Sequence, residues 1–172
     1  MLALRVSIRT SYLPFSPPLA PMPSLRVELT NRQTQWPVDA TRLLQAIERV
    51  LAAEGPADCQ VHLAIVDDAE IHSVNRQFLA HDEPTDVVTF VLEQDERRLE
   101  GEIVVSAETA ARLAAEVGWS YEHELTLYAV HGALHLLGYD DRDPASACAM
   151  RAKEAEYLRL LGIDPAAAKR FE

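Results

Sequence analysis

His131 and His135 stand four residues apart in the stretch AVHGALHLLGYDDR (129–142), and Asp140 and Asp141 follow a glycine at 138. Residues four apart on an α-helix share a face, separated by roughly 6 Å of rise, so two imidazoles in this register reach a single ion. Gly138 suits the left-handed cap that ends such a helix and turns the chain back toward the histidine face. Asp141 then becomes a candidate third metal ligand, with Asp143 a competitor if the turn is one or two residues tighter. These nitrogen and oxygen donors suit zinc, one ion per chain. Asp140, the nearest remaining carboxylate, is the candidate catalytic base. Its alternative role is to hold the Gly138 turn and orient a histidine.

Zinc metalloproteases place a glutamate directly after the first histidine as general base, whereas this chain has Gly132. That argues against peptide hydrolysis. The neighbours Leu127, Val130, Leu134, Leu136 and Leu137 mark a largely buried helix, on which a lone histidine is usually a core residue. Two histidines at helical spacing, followed by a glycine and two aspartates, favour a metal site instead.

The string HGALHLLGYDD resembles the signature HGxLHLxGYDH of the YbeY family, the bacterial endoribonucleases of ribosomal RNA maturation. VNRQF (74–78), DEPTDVVTF (82–90), GEIVVS (101–106) and the pair Met150 and Glu154 match the family in the same order, over Leu25 to Ile163. The resemblance implies a single-strand-specific, zinc-dependent endoribonuclease of rRNA processing and ribosome biogenesis. Its setting would be the cytoplasm, and its partners ribosomal RNA and the ribosome or ribosomal proteins. His131, His135 and Asp141 would hold the ion, leaving a position for water. Thr89 and the PTD loop (84–86) would line the cleft opposite the metal, and Thr85, Thr89 and Arg76, the only cation on its short helix, would bind substrate.

Two positions depart from the family pattern. Asp141 replaces a third histidine, and Leu79 replaces an arginine implicated in ribonuclease activity. A carboxylate oxygen binds zinc at roughly 2.0 to 2.2 Å, close to the imidazole distance, so the first change keeps a three-ligand set while lowering the site's charge. Leucine, by contrast, offers a phosphate neither charge nor hydrogen bonds. A rival reading is therefore a catalytically weakened, ribosome-associated metalloprotein that binds RNA or protein. A generic metal-dependent hydrolase is a third.

The elements that must position these residues follow from hydrophobic period and capping signals. LRVELT reads as a strand with Leu25, Val27 and Leu29 on one face. A helix capped by Asp39 or Thr41 runs to about Ala53, and CQVHLAIVDD forms a second strand with His62 on its far side. A short helix spans Asp68 to Leu79. VVTFVLE and EGEIVVS are two more strands joined through QDERRL. Ser106 caps a helix over Ala107 to Val117, Ser120 caps the motif helix, and a last helix runs from near Pro144 to Leu161 with Met150, Ala152, Tyr157 and Leu161 inward. This order implies an α+β domain: a four-stranded mixed sheet covered by helices, with the metal cleft between the HxxxH helix and the sheet.

At 172 residues, 48% hydrophobic and 25% charged, the chain suits one soluble domain, and no apolar run is long enough to span a membrane. Its net charge of −11 weighs against non-specific nucleic-acid binding. Up to Thr34, however, Arg5, Arg9, Arg26 and Arg32 face only Glu28, and Arg97 with Arg98 is the nearest approach to a phosphate-binding pair. Cys59 and Cys148 form no CxxC pair and read as reduced thiols. Residues 1–23, proline-rich and without acids, are expected to be a disordered extension, with Met22 as the true start. The domain is expected over 24–165, and a tail over 166–172.

Overall fold

The computed structural model describes residues 24–78 and 85–168. Four strands, β1 (Ser24–Asn31), β2 (Asp58–Val66), β3 (Val87–Gln94) and β4 (Arg98–Ser106), form one sheet in the order β1-β2-β4-β3. β1 and β4 flank β2 in parallel, and β3 runs antiparallel to β4. Five helices complete the α+β fold: α1 (Ala40–Glu54), α2 (Asp68–Phe78), α3 (Ala107–Val117), α4 (Tyr121–Leu136) and α5 (Pro144–Leu160).

Strand alternation decides which helix meets which face. Val61, Leu63 and Ile65 of β2, with Ile103 and Val105 of β4, point into the main core shared with α1 and α4. Ala64, Val66, Val88 and Val104 point the other way and are covered by Ile71 and Val74 of α2. The rest of that second face stays open and carries Glu28, His62 and Glu102, while Leu92 at the outer end of β3 is 63% exposed. His62 thus lies opposite the main core, with Nε2 2.9 Å from Thr30 Oγ1.

The helix starts are set by side-chain caps that occupy otherwise orphaned N–H groups. Asp39, rather than Thr41, accepts from the Arg42 amide at 3.0 Å, and Ser106 and Ser120 accept from the Thr109 and His123 amides. Asp143 caps α5, with Pro144 in the first turn, where its missing N–H costs nothing.

α4 is buried almost all round, wedged among the sheet, α1, α3 and α5. Gly132 lets it lie so close: a Cβ there would sit 2.5 Å from Ile103 Cγ2 and 3.3 Å from Val87 Cγ1. α5 packs on α4 through Ala147, Met150, Glu154, Tyr157 and Leu158. Ala152, expected inward, is exposed, and Leu161 is only half-buried. The inward stripe recurs every three to four residues, and a position two beyond Met150 falls on the opposite side of the helix.

Ordered structure continues past 165 through a 3-10 turn, Pro165–Ala167, to a fully buried Ala168. The expected extension at 1–23, Leu79 and the last four residues of the tail lie outside the described residues. Among the described residues no helix is long and apolar enough to cross a membrane.

Candidate metal centre

The end of α4 carries both histidines, and the turn that follows returns an aspartate to them. The Gly138 amide bonds the His135 carbonyl at 2.9 Å and the Tyr139 amide bonds the Leu134 carbonyl at 3.1 Å. Gly138 has φ +92°, a conformation in which side chains are strained. Past this turn the Asp141 carboxylate lies 4.0 Å from Nε2 of His131 and 4.0 Å from Nε2 of His135. The two Nε2 atoms are 2.9 Å apart. All three donors fall within 4.8 Å of one another. Two ligands of a tetrahedral zinc are separated by roughly 3.4 Å when each bond is about 2.1 Å, so this donor set fits such an ion.

The other ring nitrogen of each histidine is already engaged. His131 Nδ1–H donates to Glu154 Oε1 at 2.6 Å, and His135 Nδ1–H donates to the Tyr139 carbonyl at 2.9 Å. Both bonds fix the tautomer that leaves an Nε2 lone pair facing Asp141. Glu154 is only 6% exposed, so its carboxylate is held by the fold rather than by solvent. Burial disfavours a charge on His131, yet Glu154, with Asp86 and Asp141 nearby, outweighs it and raises the pKa. His135 shifts the opposite way: burial and the neighbouring His131 lower its pKa.

A second shell of bonds ties the turn to two helices. Glu54, the last residue of α1, accepts from the Tyr139 hydroxyl, from the Tyr157 hydroxyl at 2.7 Å and from Lys153 Nζ at 2.7 Å. Tyr139 therefore links this clasp, through its hydroxyl, to His135, through its carbonyl.

His131 and Asp141 open on a cleft of about 460 Å³. α4 contributes Leu127, Tyr128 and His131, while α5 contributes Ala147, Met150, Arg151 and Glu154; Asp141, Val117 and Asp86 complete it. The sheet side reaches the cleft through Asp86, just before β3, and α5 forms a wall that hydrophobic period alone does not announce.

The remaining candidate residues are dispersed. Asp140 Oδ1 accepts the Asp141 and Arg142 amides and Oδ2 pairs with the Arg142 guanidinium at 2.6 Å; that hydrogen bond holds its pKa down to about 2. Asp140 thus holds the turn. Asp143 is engaged at the α5 cap, and its pKa is lowered by Ser146. Thr85 donates its hydroxyl to Asp86 at 3.1 Å, Thr89 is half-buried on β3 opposite Ile103, and Arg76 is exposed on α2, the helix on the other sheet face. None of these three lines the cleft. Of the basic positions considered above, Arg26 pairs with Glu28, Arg32 with Glu70, and Arg98 with Asp58, Glu93 and Glu100, while Arg5 and Arg9 lie outside the described residues.

Glu154 entered the sequence reading only through its match to the family, with no role attached. Glu154 had a signal: a glutamate in register with Met150, Tyr157 and Leu158 on an inward stripe must find a buried partner. Asp86 belongs to the PTD segment expected to line the cleft, and it does line it, just before β3.

An α+β domain in which the end of a central helix and the turn after it bring two oriented imidazoles and a carboxylate together has the donors to hold a metal ion. The chain belongs to the YbeY family: the family model described as Endoribonuclease YbeY matches residues 28–162. Among its relatives, the Endoribonuclease YbeY of Rhodopirellula baltica is 45% identical over 126 residues, 72% of this chain and 65% of that protein. The Endoribonuclease YbeY of Moorella thermoacetica is 41% identical over 155 residues, 81% of this chain and 99% of that one. A solution structure from Thermotoga maritima superposes with a TM-score of 0.54 at 29% identity, covering 79% of this chain and 87% of that one.

Proposed function

We infer that this chain is a hydrolase that cleaves RNA, a zinc-dependent endoribonuclease acting on single-stranded segments of ribosomal RNA during ribosome biogenesis in the cytoplasm. Family membership supports the reaction class. The observation that carries the metal reading is the convergence of His131, His135 and Asp141, with both Nδ1 atoms already bonded elsewhere. These three residues would hold the ion. Bound there, zinc supplies Lewis acidity, lowering the pKa of water toward about 7 and offsetting phosphate charge.

The chain's own residues prepare that chemistry. Glu154 keeps the proton of His131 on Nδ1, and the Tyr139 carbonyl does the same for His135, so neither imidazole turns its N–H toward the ion. Asp140, held ionised by Arg142, shapes the turn that delivers Asp141 and takes up no proton near neutrality. The apolar flank of the cleft, Leu127 and Met150, limits water around the reacting atoms.

Elemental analysis of the purified protein beside His131→Ala, followed by incubation of both with ribosomal RNA, tests the reading. It predicts zinc near one equivalent, and cleavage, in the natural protein alone. A protein that takes up no zinc when it is supplied would overturn it.

A second reading has one observation in its favour: apart from Arg151 the charged cleft residues Asp86, Asp141 and Glu154 are acidic, and position 79 is leucine. In that reading the protein is a metal-stabilised module that binds RNA or protein at the ribosome. It predicts zinc binding and RNA retention without cleavage, with cleavage created by Leu79→Arg. Peptide hydrolysis is disfavoured by packing, since position 132 faces Ile103 and Val87 rather than the donors.

A further inference from the structure

We propose that Arg151 of α5 holds a substrate phosphate at the metal cleft. The proposal rests on the ribonuclease reading and deepens it by naming the group that recognises the backbone of the RNA. An RNA strand approaching this molecule meets a net charge of −11 and a cleft with three carboxylates, Asp86, Asp141 and Glu154. Like charges repel across such a low-dielectric opening, so the site needs a cation of its own to seat a phosphodiester. Among the described residues Arg151 is the only lysine or arginine that lines the cleft.

Its guanidinium is also available. Arg26, Arg32, Arg98, Arg112 and Arg142 each sit against a carboxylate within 4.0 Å. Arg151 has no such partner among the described residues, although Glu154 lies one turn along the same helix face. Glu154 Oε1 is instead bonded to His131 Nδ1 at 2.6 Å. The glutamate that would otherwise neutralise Arg151 is committed to the metal side of the cleft. What remains is an exposed, planar fork of donors in the cleft that His131 and Asp141 also line, which matches a phosphate's paired oxygens. Its role is phosphate binding, and it takes no part in proton transfer.

The test uses the zinc-loaded full chain and a fluorescent, unstructured oligouridylate, with affinity followed by anisotropy over a range of salt and cleavage followed on the same RNA. Arg151→Ala should weaken binding by about tenfold, the value of a charge-assisted contact. It should also lower the slope of log affinity against log salt by about 0.7, one phosphate on a single strand. Arg151→Lys should keep the slope and lose part of the affinity, because charge survives and the fork does not. Arg159→Ala, an exposed arginine of the same helix away from the cleft, controls for long-range charge. Zinc content should be equal in all four proteins. Unchanged affinity and slope in Arg151→Ala, or losses matched by Arg159→Ala, overturn the proposal even if the natural protein cleaves RNA. Binding that needs Arg151 in a protein that does not cleave supports the phosphate site while sinking the nuclease reading, and absence of any binding overturns both.

Discussion

At the scale of single residues, the convergence of His131, His135 and Asp141 was legible because helical period is a strong signal and a glycine before two aspartates is a turn signal. Their supports were less so: Glu154 reaches His131 across 23 positions of sequence, a distance set by how α5 folds back. Glu154→Gln keeps a side-chain acceptor for Nδ1–H but removes its charge. Chelator competition should show zinc affinity falling by about 10- to 100-fold in this variant, with the fold intact by circular dichroism. Asp141→Ala should lose zinc more severely, whereas Asp141→His should retain or tighten it, as measured in the same titration. Unaltered zinc occupancy in Asp141→Ala would remove Asp141 from the ligand set.

At the scale of elements, caps fixed the helix starts within a residue, since each cap is a local bond between neighbours in sequence. Packing partners are not local, so the α5 wall and the one-sided cover given by α2 emerged only from the assembled sheet. The tightest contact is that of α4 on the sheet at Gly132. Gly132→Ala pushes a methyl into Ile103 and should cost about 1 to 3 kcal/mol by urea unfolding, typical of overpacking. Because His131 and His135 ride on the same helix, the variant should also bind zinc more weakly. Wild-type stability in it would mean that the sheet yields to the added methyl at no cost.

At the scale of the molecule, the acidic composition was legible from the first reading, while the place of Arg151 in the cleft was not. The Glu54 clasp draws α1, the Tyr139 turn and α5 into one body. Burial alone would raise the Glu54 pKa, but hydrogen bonds from Lys153, Tyr139 and Tyr157 lower it below its ordinary 4.5. A depressed carboxylate stabilises the fold fully above its unfolded pKa and loses that contribution as pH falls through the folded value. Stability should therefore drop on acidification below pH 4.5, and Glu54→Gln should flatten that part of the pH profile while lowering the plateau above it. Parallel pH curves for the two proteins would assign the acid sensitivity elsewhere. The close seat of α4 at Gly132 also bears on what this scaffold can become. A single codon change to glutamate would write the HExxH text of a peptidase into the gene, yet already its Cβ would meet Ile103 and Val87 on the sheet. A glutamate there would therefore need α4 to move off the sheet, and α4 is the helix that carries both histidines.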